Sequence, residues 1–163
     1  MLLNGILINS EAWYNVTKGD IEDLEKVDRE FLKGVMNAPK STPTESLYLE
    51  LGIIPIKYII MARRLNFLQY ITKKNKDSLI FKFFNLQWIK PETGDWTVNA
   101  KKDLEKIDLR LDLDEISEMS KKKFKTIVKK WRKDIVFKEL ILNKDKHRKM
   151  NNVQYRDINL QPY

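Results

Sequence analysis

The chain has 163 residues, a net charge of +8, no cysteine and one histidine, His147. That length suits one domain, or one domain with an appendage, and permits a core without metal or disulfide support. The missing thiols exclude disulfides, thiolate chemistry and cysteine-held zinc, and a single histidine leaves no basis for a histidine-built metal centre or a Ser-His-Asp triad. No cofactor and no metal are expected.

Met1–Ile8 is apolar but short, without a basic lead or a small-residue cleavage site, so it does not read as a signal peptide. A short helix is expected over 2–14, apolar at Leu3, Ile6, Leu7 and Trp13. Thr17 and Asp20 open a second helix over about 18–36, where Leu24, Val27, Phe31 and Val35 form an apolar stripe and charged residues cover much of the rest. Ala38-Pro39-Lys40-Ser41 breaks it. In 42-TPTE-45, Thr42 can cap, Pro43 suits the first helical position and Glu45 can complete a capping box; the helix this starts stops at Gly52. Pro55 opens the next, to about Thr72, apolar nearly all round and therefore expected at the centre. It carries Lys57, Arg63 and Arg64 and so reads as a buried helix rather than a membrane span.

Asp77 or Ser78 starts a helix through Trp88, and Asp95 caps another to about Ile107. A short one is expected near Leu113–Met119, and Ser120 then caps a long basic helix to about Asn143. No alternating strand pattern of useful length occurs. The expected fold is all-α, with six to seven helices packed together. A helical body over 1–119 would carry the basic helix of 120–149, and 150–163 would form an extended tail.

Charge is unevenly placed. Between Lys121 and Lys149 thirteen Lys or Arg stand against three acids, while residues 1–120 are close to neutral. Such asymmetry points to a polyanion partner. At 100° per residue, Phe124, Val128, Trp131, Ile135 and Leu142 share one sector with Ile127 at its margin, and Lys122, Lys125, Lys129, Arg132 and Lys133 share another. The helix is thus expected to dock by one side and present a cationic ridge on the other. Trp131, although flanked by cations, falls in the apolar stripe and is expected to pack in the core. A solvated face would interleave acids, whereas Asp134 is the only one between Lys121 and Lys138. Lys57, Arg63 and Arg64 form a second cationic candidate, with Glu45 or Glu50 as the competing internal partners of the arginines. The carboxylates of 20-DIEDLE-25 and 112-DLDE-115 read as helix caps and solvated faces.

Two stretches go beyond generic helix. In 6–36 the residues Leu7, Ser10, Glu11, Trp13, Thr17, Leu24, Leu32, Lys33 and Met36 match a pattern found just after the polymerase palm of non-LTR (LINE-like) retrotransposon reverse transcriptases. The stretch 42-TPTESLYLELGIIPIKYIIMARRLNFLQYI-71 is similar to a second block of the same reading frames, and later elements resemble them through Lys146-His147. The resemblance covers nearly the whole chain and implies the helical thumb and post-thumb region, which holds template and primer duplex by backbone contacts. The palm, which would carry adjacent aspartates for two metal ions, is not matched: no Asp-Asp pair occurs in the sequence. An endonuclease domain and a Cys/His cluster are also missing.

Charge and resemblance together imply a non-enzymatic, sequence-nonspecific nucleic-acid-binding module, a piece or remnant of a retroelement polyprotein. Its partners would be an RNA–DNA hybrid or duplex and the rest of a reverse transcriptase, not a membrane. The expected contacts are Lys122, Lys125, Lys129, Arg132, Lys133, Lys57, Arg63 and Arg64. The competing reading is a helical scaffold docking on a palm or a host factor, motivated by the apolar Leu2–Trp13. An intracellular location, nuclear or cytoplasmic, fits either, and 121-KKKFKTIVKKWRK-133 is weakly like a basic import signal.

Overall fold

The computed structural model describes residue 5 and residues 7–14, 16–107 and 112–144, with side chains up to residue 140. The expected tail, the end of the basic segment and the side chains of Leu3, Ile6 and Leu142 lie outside the described residues. Among the described residues the chain is all-α, as expected: one 3-10 turn, Ser10–Ala12, and seven α-helices without a strand. They are α1 (Lys18–Val35), α2 (Thr44–Leu51), α3 (Ile56–Thr72), α4 (Leu79–Ile89), α5 (Trp96–Lys106), α6 (Leu113–Glu118) and α7 (Lys121–Lys144).

Local chemistry sets most of the boundaries. Ser78 Oγ accepts the Phe81 N–H at the start of α4, and Ser120 Oγ accepts that of Lys123 at the start of α7. Asp112 and Glu115 form a reciprocal capping box, as their reading as caps anticipates. α1 and α2 end alike. Asn37 (φ 48°) and Gly52 (φ 65°) turn into the left-handed region, and the amides of Ala38 and Ile53 reach back five residues to the carbonyls of Lys33 and Tyr48. The start of α2 differs from expectation. Pro43 is extended (φ −60°, ψ 138°) and flanks the helix with no side-chain cap, so α2 begins at Thr44 and the Thr42 capping box does not form.

The helix expected over 2–14 does not continue through its described part: Gly5 is helical, but Asn9 is left-handed at φ 57° and after it only the Ser10–Ala12 turn is helical. Its carbonyls are taken from afar: Arg63 donates to Leu7 O, and Trp96 Nε1 donates to Glu11 O at 2.7 Å. A distant donor that satisfies a backbone acceptor removes the need for a helical one.

The chain divides into two compact units, and the boundaries fall inside α3, after Ile59, and inside α7, after Trp131. Of the described residues, one unit holds residue 5, 18–59 and 132–144. There α1 packs on α2, and Leu32, Leu47, Tyr48, Ile54, Ile56 and Val136 are buried. The apolar stripe expected to bury α1 does not do so. Val27, Phe31 and Val35 are exposed, and the helix buries Asp28 and Leu32 instead. Asp28 is held by the Tyr48 hydroxyl, which donates to Oδ2 at 3.2 Å.

The other unit holds 7–17 and 60–131. Its core runs from Ala62, Leu65, Leu68 and Ile71 of α3 through Phe84, Trp96, Ala100, Leu104 and Ile116 to Phe124 and Val128 of α7. Phe67 meets Trp96 edge-on at 5.6 Å between ring centroids, an arrangement worth about 0.5–1.5 kcal/mol beyond its buried area. This packing seats the first half of α7 by its apolar side.

Candidate nucleic-acid interface

The first half of α7 has the two sides its sequence implies. Phe124 and Val128 are buried, whereas Lys121, Lys122, Lys123, Lys125, Lys129 and Lys130 are exposed. No carboxylate among the described residues pairs with any of these six. Trp131 packs against the core cluster and donates its Nε1 proton to Lys106 O at 2.9 Å, in line with its expected structural role.

The ridge then stops. Arg132 and Lys133 are half-buried, and farther along the same sector Val136 and Leu140 are buried. Ile135, expected in the apolar stripe, is only half-buried. The buried side of α7 therefore changes near Arg132. Burial pulls the Arg132 guanidinium below its ordinary range, and its Nε finds no hydrogen-bond partner. Of the five residues expected in the ridge, the structure leaves Lys122, Lys125 and Lys129 on an open cationic face.

The second cationic candidate is internal. Arg64 donates to Asp103 Oδ2 at 2.7 Å, with side chains only 7% and 4% exposed, so it belongs to the core. Burial lifts the Asp103 carboxyl above its usual range, opposed by the attraction of Arg64. Arg63 donates to Leu7 O and to Ser10 Oγ. Lys57 pairs with Glu139 Oε1 at 2.5 Å, and the Tyr58 hydroxyl also donates to that carboxylate. The partners taken, Asp103 and the Leu7–Ser10 turn, lie 39 and more than 50 residues away in sequence.

An open cavity of about 180 Å³ lies beside this pair, lined by Glu25, Arg29, Glu45, Tyr48, Lys57 and Glu139 among others. Burial lifts the Glu25 carboxyl, although it accepts the Lys57 N–H at 3.4 Å. Its mixed charges offer no face for a polyanion.

A smaller cleft of about 80 Å³ is lined by Asn66, Gln69, Tyr70, Lys73, Lys121 and Lys125. Only Lys125 of these stands among the contacts expected from the ridge. The available signal for the rest was 72-TKKNK-76, a basic run where α3 ends, with an exposed aromatic two residues before it.

Among the described residues no helix is long and apolar enough to cross a membrane. Comparison with protein-family models, with curated proteins and with solved structures found no match.

Proposed function

We propose that this chain is a non-catalytic helical module that grips nucleic acid by its backbone, in the manner of a retrotransposon reverse transcriptase thumb. The observation that carries the reading is the first half of α7. Its cations at Lys122, Lys125 and Lys129 are exposed and, among the described residues, without a carboxylate partner, while its opposite side is anchored in a core. Lysines stacked at three- and four-residue spacing repel one another, and a phosphate backbone relieves that repulsion. Contacts of this kind respond to charge and groove shape, not to base identity.

Fluorescence anisotropy on an RNA–DNA hybrid duplex across a salt series tests this. Binding is expected to weaken steeply with salt. Replacing Lys122, Lys125 and Lys129 by Gln should lower the log–log slope by about 3, near 0.9 for each phosphate released. A flat salt response overturns the reading.

A helical scaffold is the second reading, and exposed apolar surface favours it. On α4, Leu79, Phe83 and Leu86 are 75%, 68% and 66% exposed, apart from the exposed Val27, Phe31 and Val35 of α1. Apolar groups clustered this way on one helix face are a usual mark of a protein contact. A clean monomer that binds no apolar dye would count against it.

A further inference from the structure

We propose that the cleft between the start of α7 and the turn after α3 is a subsite for one unpaired nucleotide of a bound strand. In it the phosphate sits among Lys73, Lys121 and Lys125, and the base lies against Tyr70. This deepens the nucleic-acid reading and rests on it, but it concerns a cleft that shares only Lys125 with the Lys122–Lys129 ridge, and a different form of the ligand.

The walls are fixed. Gln69 Nε2 donates to Met119 O at 3.0 Å, and Ser117 Oγ donates to Thr72 O at 3.1 Å, which ties the end of α3 to the segment entering α7. Lys121 and Lys125 stand one helical turn apart, and Lys73 comes from the turn after α3, so three lysines from two segments line one cleft. No carboxylate among the described residues lines it. The first turn of α7 adds the positive end of its dipole, where the Ser120 side chain takes the Lys123 amide. An anion is the group that this arrangement lacks, and phosphate geometry suits three convergent point charges.

The aromatic distinguishes a nucleotide from a bare anion. Tyr70 is 50% exposed and lines the cleft. Its ring is steadied by Phe67, stacked at 6.0 Å and 15°, and carries the Lys74 ammonium 4.2 Å from its centroid. In the proposed complex a base takes the place of that ammonium on the ring, since every base offers a face that an aromatic can stack on. An aromatic inside a cationic groove is the usual platform for unpaired bases, whereas a paired base keeps its faces within the duplex stack.

The test uses the whole chain with a 12-nucleotide single-stranded RNA and a 12-base-pair duplex, read by anisotropy. Tyr70→Ala should weaken the single strand on the order of tenfold and leave the duplex within about twofold, while Tyr70→Phe keeps both. Lys73→Gln with Lys121→Gln should weaken the single strand with a smaller salt slope. Photo-crosslinking of a 5-iodouridine strand to the unaltered protein needs no variant to fold, and the adduct should map to the tryptic peptide 65–73. Equal losses on both ligands, or adducts confined to α7 beyond Lys125, overturn the subsite and leave the duplex reading standing. Binding to phosphatidylserine vesicles with no binding to either nucleic acid overturns both.

Discussion

The two halves of α7 use one helix in opposite ways. In residues 121–131 the apolar side at Phe124 and Val128 is buried and the sector of Lys122, Lys125 and Lys129 is exposed. In residues 132–140 that same sector, continued through Val136 and Leu140, is the buried one, and Phe137 is exposed. The helical wheel assigns faces as if a helix had one environment along its length. Where a helix serves two compact units, each unit chooses its own side. A charge pattern can then be read as a surface only as far as the changeover, here near Arg132.

A pair of substitutions at equivalent places tests this most strongly. Lys129 and Val136 are seven residues apart, two turns along one sector. Val136→Glu places a carboxylate where the side chain is fully buried, and should cost about 3–5 kcal/mol in urea unfolding. Lys129→Glu should change stability by no more than about 0.5 kcal/mol. Equal costs at the two sites would mean that the buried side does not change.

Arg132 sharpens the boundary itself. Its Nε is buried without a partner and its charge is disfavoured by burial, so Arg132→Met removes an unsatisfied polar group while keeping the bulk. Stability should rise by about 1 kcal/mol or less, and the salt slope of nucleic-acid binding should not move. Lys129→Gln should do the reverse, reducing the slope by about 0.9 with stability unchanged. If Arg132→Met flattens the slope, the cationic face extends past the changeover.

Much of the fold was legible because its signals are local. Ser78, Ser120, the Asp112–Glu115 box and Gly52 mark helix ends through contacts within a few residues, so sequence order suffices to see them. The choice of buried face was legible only in part. Phe124 and Val128 obey the periodicity, but α1 exposes Val27, Phe31 and Val35. The internal pairs were not legible at all. Arg64 with Asp103, Lys57 with Glu139 and Arg63 with the Leu7–Ser10 turn join residues 39 or more apart, and composition gives no register for them. The open part of the cationic ridge could be read because exposure asks for no partner.

α1 offers the finest version of the same comparison, since it buries a carboxylate while apolar neighbours stay outside. Burial raises the Asp28 carboxyl above its ordinary range, and the hydrogen bond from Tyr48 offsets this only in part. Its Oδ1 has no partner. Between the unfolded pKa, near 3.9, and the higher folded one, the folded chain binds more protons than the unfolded chain. This group therefore adds stability as pH falls from neutral through the folded pKa, and the gain is complete below the unfolded one. Asp28→Asn keeps an acceptor for Tyr48 and abolishes the charge, so it should be at least as stable as the parent at pH 7. Denaturation midpoints followed from pH 7 to pH 4 should rise less in the variant. Some slope will remain, because Glu25 on the same helix is also raised by burial. A parent that loses stability over that interval while the variant does not would show that Asp28 sits as a stabilised anion, and that α1 buries it for its charge.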